Sequence, residues 1–417
     1  MGRLGGDVRI AFITQQTPYG KGEGFVIEEL IEFAGQGHDI TIFPMRPEAA
    51  IYHSDAKTIS ARAMVMPLLT CSLVLLFLKF MVSRPSEFLH VAATLLQSRN
   101  LGILIKNLLV LPKAIWIAQQ VKTKEIEHIH AYWASTSATA AMVASYLTGV
   151  DWSITCYRGD IGDNNLLALK HQSAKFIRCP DEQSREEIVA ICKLQNRDKL
   201  HLIRSGVRAP SLTCSSATAE NTSKRPFCFA VPALMVEKKG HVYLLEAVRL
   251  LADKGYVFAC WLIGDGPLQE MIEERIRQLE LTTIVEMKGL LPLEELKNIY
   301  RANDVDAVVL PSIVTADNQK EGIPVSLIDA LSFGVPVIST LTGGIPDLVT
   351  PEVGILVAPR DSTELARSME YLMTHHEVRR QMSVAARRRT ETEFDVVRVV
   401  SSICHQMQSS ISHETSR

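Results

Sequence analysis

The sequence predicts an α/β protein of two doubly wound domains, each a parallel sheet covered by helices. Three observations predict it. At 417 residues the chain exceeds what one ordinary core holds. Apolar strand-like runs alternate with helix-like runs through both halves. A polar, unpatterned stretch over 208–226 separates those halves. A hydrophobic share of 47% against 22% charged suits a globular chain rather than a disordered one.

Residues 8–13 read as a buried strand, followed by a glycine-rich loop that includes Gly22 and Gly24. Residues 25–36 read as a helix and 40–43 as the next strand. Strand 126–130, helix 137–147 and strand 152–155 continue the alternation. After 208–226 it resumes: strand 227–231, helix 242–254, strand 257–263, helix 268–279, strand 284–287, helix 293–302, strand 305–310. Strand 335–339 and helix 362–375 complete it. The expected domains are 1–207 and 227–385, with 386–417 packing back toward the first. Ligands should bind where the strand C-termini open, between the two domains.

The stretch Glu321-Gly-Ile-Pro-Val-Ser-Leu-Ile-Asp329 places two carboxylates eight positions apart across a loop-to-helix junction. Pro324 suits the first helical turn, and Gly334 with Pro336 should end the helix. The amides of Gly322, Ile323 and Val325 then leave a positive helix N-terminus, which suits an anion. At about 1.5 Å per residue, the two acids stand roughly 10 Å apart. That span fits a sugar, a diphosphate and a ribose. The bland alternative is a capped helix with solvated acids.

A net charge of −2 gives no reason to expect nucleic acid. The eight cysteines form no CxxC pair, so reduced thiols in a cytoplasmic protein are expected. The first residues lead directly into a strand, with no apolar segment for secretion. No residue set has metal-ligand spacing, so no metal and no cofactor are expected. The arginines at 379–380 and 387–389 read as a solvated basic face on helices crossing back over the first domain.

Residues 61–124 differ in character. Residues 64–82 are nearly all apolar, and Arg62, Lys79, Arg84, Arg99, Lys106, Lys113, Lys122 and Lys124 oppose the single acid Glu87. A basic, apolar, helical region suits a surface on anionic lipid. An ordinary core helix and a true span over 64–82 remain alternatives.

Four linked motifs carry a family resemblance over about residues 8–400. They are 24–30 with 37–40; Ile129-His-Ala-Tyr-Trp133 with 155–161; Val236-Glu-Lys-Lys-Gly-His241 with Gly264-Asp-Gly-Pro267; and the stretch from Glu321 with Gly343-Gly-Ile-Pro-Asp347. Together they resemble the retaining GT-B glycosyltransferases of family 4, in the branch that builds exopolysaccharides such as colanic acid. The resemblance implies metal-independent transfer of a hexosyl unit from a UDP- or GDP-sugar. The acceptor would be lipid-linked or a growing polysaccharide; the lipid part, with a peripheral place on the inner face of the membrane, rests on the basic apolar region 61–124. By motif, Lys239 should contact the diphosphate, Glu321 the donor sugar and Asp329 the ribose. The backbone near Gly289 should border the base, while Gly264, Gly22 and Gly24 permit close approach. With Glu321 and Lys239, Tyr157 and Asp160 of the second motif take catalytic places.

Three positions depart from the family pattern: Leu234 stands for an Arg, Tyr157 for a His and Asp329 for a Glu. Losing a charge-assisted hydrogen bond to phosphate costs about 1.5–3 kcal/mol. Arg158 is a candidate to supply the missing cation, unless it only pairs with Asp160 or Asp163. The departures also leave open a catalytically weakened GT-B protein acting as a partner or scaffold. An epimerase or a phosphorylase on the same fold is a further alternative, without a matching acid–base set or cofactor lysine.

Overall fold

Twelve strands form two six-stranded sheets in the computed structural model, which describes residues 8–20, 23–48, 50–68, 70–210 and 225–411. The chain divides into unit 1, residues 1–206 with 397–417, and unit 2, residues 207–396. Of the polar stretch 208–226, residues 211–224 lie outside the described residues.

Unit 1 contains β1 (Arg9–Thr14), β2 (Asp39–Pro44), β3 (His128–Tyr132), β4 (Trp152–Thr155), β5 (Ile177–Cys179) and β6 (Leu200–Leu202). Their order is β2-β1-β3-β4-β5-β6, every neighbour pair parallel. Ile10, Ala11, Phe12 and Ile13 are wholly buried, as a parallel strand covered on both faces requires. Unit 2 contains β7 (Phe227–Pro232), β8 (Phe258–Ile263), β9 (Val285–Gly289), β10 (Ala307–Leu310), β11 (Val337–Thr340) and β12 (Gly354–Val357). Their order is β12-β11-β10-β7-β8-β9, again parallel. Strand order reverses between β1 and β3 and between β7 and β10, so each sheet has its crevice there. The two doubly wound α/β domains expected from the sequence are present.

The helix Val396–Ile411 belongs to unit 1 from Val397 onward. There Cys404 Sγ lies 3.1 Å from His38 Nε2, and Val397 O accepts from Gln36 Nε2 at 3.2 Å. The preceding helix, His376–Glu393, stays in unit 2. Its Arg387 and Arg389 donate to the carbonyls of Phe333 and Asp347.

A buried ion pair braces unit 1. Arg178, in the middle of β5, meets Glu29 of helix Gly24–Gly35 through two 2.7 Å bonds, with both side chains fully buried. Tyr132 Oη donates to the same carboxylate at 2.8 Å, and Arg178 Nε to Ile203 O at 2.9 Å. Removing one member would strand a buried charge, at about 3–5 kcal/mol.

Residues 61–124 correct two expectations. The continuous apolar helix over 64–82 does not form; the helix is Cys71–Ser83, capped by Thr70 Oγ1 accepting from Leu73 N–H. Its thirteen residues extend about 20 Å, short of a bilayer core. Lys113 is not a lipid-facing cation. It is fully buried and donates to the carbonyls of Pro44, Met45 and Met66 at 2.5, 3.0 and 2.6 Å. Burial lowers its ammonium to about 8. Helix Leu101–Thr123, which carries it, is long and apolar enough to cross a membrane. Its most apolar stretch is 44% buried, and Asn107 there bonds Asn165 and Thr139.

Candidate active site

In unit 2 the site is built by the segments that leave β7 and β10, the two strands flanking the crevice. After β7 the chain runs through Ala233–Val236 into a single 3-10 turn, Glu237–Lys239. Ile313 N–H, beyond β10, donates to Lys238 O at 2.8 Å and so ties the two segments together. Gly240 has φ +69°, and a Cβ there would stand 1.9 Å from Pro311 O; only glycine fits. Gly264 serves the same purpose on the other side, since its Cβ would lie 2.0 Å from Ala233 O. Its N–H donates to Gly289 O at 2.8 Å, which brings Gly264 and Gly289 together at the ends of β8 and β9.

Glu321 is buried at the end of the loop from β10. Lys239 Nζ lies 3.2 Å from its Oε2 and Lys238 Nζ 3.5 Å from its Oε1. Burial pushes the carboxyl up, but the two ammonium groups outweigh it and hold Glu321 below the ordinary carboxylate range. Oε1 is buried yet makes no hydrogen bond, so it has a lone pair to offer a hydroxyl. Lys239 is only 12% exposed and Glu321 is buried, so the alternative of a solvated acid does not hold at Glu321.

The helix beyond is Val325–Ser332, and Pro324 is its N-cap residue rather than a member of its first turn. Among the described residues no backbone carbonyl accepts from the N–H of Gly322, Ile323 or Val325. These donors surround the helix start as an anion site requires. Asp329 stands in the second turn, 4% exposed. Burial, and then the charge of Asp329, raise the neighbouring Tyr300 hydroxyl well above its ordinary range. Leu234 is 50% exposed in the loop after β7.

Two residues beside this site lie in the Val236–His241 motif but were given no role from the sequence. Lys238 shares Glu321 with Lys239. His241 opens helix His241–Asp253, and both its ring nitrogens are buried without partners. Burial, then Lys239, lowers that imidazole to about 4, so it stays neutral. The sequence signal was the adjacent Lys-Lys-Gly-His run.

Unit 1 holds a separate polar cluster at the C-terminal ends of β1, β3 and β4. Glu23, which the sequence reading passed over, accepts from the N–H of Gln16 and Thr17 at 2.7 Å each and from Trp133 Nε1. A carboxylate between two glycines was the available signal. Gly24 begins the helix Gly24–Gly35, and its Cβ would meet His53 at 3.4 Å; Gly22 lies outside the described residues. Tyr157 packs on Trp133 and Phe25, with ring centroids 4.6 and 5.2 Å away. Trp133 holds φ +76°, an uncommon conformation for an aromatic residue.

Asp160 accepts from Ala134 N–H at 2.8 Å, and burial raises its carboxyl to about 7. Lys170 donates to Ala134 O and Ser135 O, and burial lowers it to about 7. Arg158 pairs with Asp181 at 3.0 Å and Glu187 at 3.2 Å, not with Asp160 or Asp163. Its side chain is 4% exposed and its charge is matched inside unit 1. Among the described residues no cluster of three or more His, Cys, Asp or Glu could hold a metal ion.

Residues 217–389 match the family model Glycosyl transferases group 1. The putative colanic acid biosynthesis glycosyltransferase WcaL of Escherichia coli K12 is 36% identical over 174 residues, 42% of each chain. The amylovoran biosynthesis glycosyltransferase AmsK of Erwinia amylovora is 32% identical over 199 residues, 48% of each. These alignments thus span under half the length of the curated relatives. Among solved structures, Anabaena Alr3699/HepE in complex with UDP-glucose superposes with TM-score 0.71 at 14% identity, covering 96% of this chain and 99% of that one. A glycosyltransferase from Rickettsia africae gives 0.70 at 16%, over 97% and 98%. With Glu321, Lys239 and the open amides inside it, the segment 217–389 is similar to the glycosyl transferases group 1, in a chain that shares the fold of these solved proteins.

Proposed function

We propose that this protein is a retaining glycosyltransferase that moves a hexosyl unit from a UDP- or GDP-sugar to a lipid-linked or polysaccharide acceptor in exopolysaccharide synthesis. One observation carries the reading: a buried carboxylate with an unfilled lone pair, flanked by two lysines, stands beside open helix-start amides. In this reading Glu321 accepts from a donor-sugar hydroxyl, and Lys239 turns toward the diphosphate. The N–H groups of Gly322, Ile323 and Val325 hold the phosphate oxygens, while Asp329 takes the ribose. Gly264 and Gly289 border the nucleotide.

The bond from the anomeric carbon to the diphosphate oxygen breaks as the acceptor oxygen attacks from the same face. The acceptor proton passes to the departing diphosphate, so no protein base is consumed. Charge grows on the diphosphate, where the lysines and amides are already oriented. Within unit 1, Tyr157 and the loop braced by Asp160 and Glu23 hold the acceptor. Arg158 has two carboxylate partners, which argues against its standing in for the cation lost at Leu234. The relatives' names support the exopolysaccharide part, and the basic apolar region of unit 1 supports a peripheral place on a membrane.

The test is nucleotide release from a panel of UDP- and GDP-sugars. Glu321→Gln and Lys239→Ala are expected to reduce turnover at least about a hundredfold with unchanged circular dichroism. Turnover surviving in both variants would overturn the assignment, as would calorimetry showing no affinity for any nucleoside diphosphate.

A further inference from the structure

Of the twenty-two large hydrophobic side chains exposed among the described residues, eleven fall between Val65 and Leu109. Such a concentration marks a contact surface. On helix Cys71–Ser83, Val74, Leu75, Leu78 and Val82 are between 46% and 84% exposed. At 3.6 residues per turn they share one arc about 100° wide. Beyond that arc, Lys79, Ser83 and Leu76 lie within about 60° of one another around the helix, and all three line a groove of about 240 Å³ against helix Leu101–Thr123. Phe80 and Ile115 give the groove further apolar walls; Lys79, Arg84 and Lys122 bring three cations to it. Arg84 also lies 3.0 Å from Glu87, in a half-exposed pair that water screens. Glu87 is the sole acid among residues 61–124, against seven exposed lysines and arginines.

We propose that this groove seats the phosphate of an anionic phospholipid while the adjoining apolar arc enters the same leaflet. Charge and apolarity together select that occupant. A second copy meeting this face about a two-fold axis would set cations against cations. An acidic peptide would match the cations without calling for an apolar stripe beside them. An anionic bilayer supplies both, phosphate at the surface and hydrocarbon just beneath. The seat lies wholly in unit 1; it deepens the membrane part of the proposed function and is independent of the donor site in unit 2.

The experiment is co-sedimentation of the full chain with vesicles of phosphatidylcholine, with and without phosphatidylglycerol. Lys79→Glu with Lys122→Glu is expected to weaken partition onto the anionic vesicles roughly 30-fold. A charge-matched control, Lys57→Glu with Lys193→Glu at exposed sites elsewhere in unit 1, is expected to change it less than about threefold. Leu75→Ser with Val82→Ser tests the apolar arc and is expected to weaken partition with melting temperature unchanged. Equal loss in the two lysine pairs would overturn the groove, because it would show diffuse attraction only. Equal binding to neutral vesicles, or none to either, would overturn the lipid. So would displacement by inorganic phosphate at matched concentration, or a groove-dependent dimer in light scattering. Nucleotide release measured without vesicles is expected to be the same in all these variants, which separates failure here from failure of the transferase reading.

Discussion

A Cβ added at Gly343 would stand 1.9 Å from the backbone oxygen of Glu321, and Gly343 itself holds φ +56°. The turn after β11 therefore sets the position of the buried carboxylate by backbone contact. Gly343→Ala must displace one segment or the other, at about 1–3 kcal/mol. Nucleotide release is expected to fall at least about tenfold, with a melting temperature lower by a few degrees. Unchanged turnover would show that the Glu321 loop is not held from this side.

Leu234→Arg is a gain-of-function test. Leu234 is half exposed in the loop after β7, so an arginine there displaces no core side chain. A charge-assisted bond to phosphate contributes about 1.5–3 kcal/mol. Nucleoside diphosphate affinity, measured by calorimetry, is expected to rise roughly ten- to a hundredfold. No gain would mean that this loop does not face the diphosphate.

Asp160 gives unit 1 a pH signature. Its carboxyl is raised by burial from 3.8 to about 7, so the folded state binds the extra proton between those values. Stability from this group is present in full at acid pH and is lost as pH rises toward 7. Asp160→Asn keeps an acceptor for Ala134 N–H and removes the titration. Its denaturant midpoint is expected to decline less than the wild type's between about pH 4 and 7. Parallel profiles would place the titration elsewhere.

Lys113→Met is expected to destabilise the fold by about 3 kcal/mol or more, because three buried carbonyls lose their donor. Lys106→Glu, on the exposed side of the same helix, is expected to leave the urea midpoint nearly unchanged. A mild effect at Lys113 would mean that water replaces its ammonium.

What the sequence made legible was local. Strand β4 reads residue for residue over 152–155, and the helix–strand alternation of unit 2 was found within a residue or two. Glycines of the site were visible because close backbone approach demands them. The short strands β5, β6 and β12 were not read. In β5, Arg178 breaks the apolar pattern, and the carboxylate that neutralises it comes from Glu29, 149 positions away. Lys113 was misread for the same reason, since its carbonyl partners lie 47 to 69 positions earlier. Glu321 was found by motif, but its second lysine and its unfilled oxygen depend on how two loops meet. Paired charges within a fold leave no local pattern; their partners are chosen by topology.

Because residues from Val397 onward return to unit 1, the ribosome must finish the whole of unit 2 before the first unit receives its last helix. Until then His38 and Gln36 lack the contacts that this helix brings. Maturation of the amino-terminal half therefore waits until synthesis has passed Ile411, and a fragment stopped at Gly206 would emerge with a bare apolar flank for chaperones to cover.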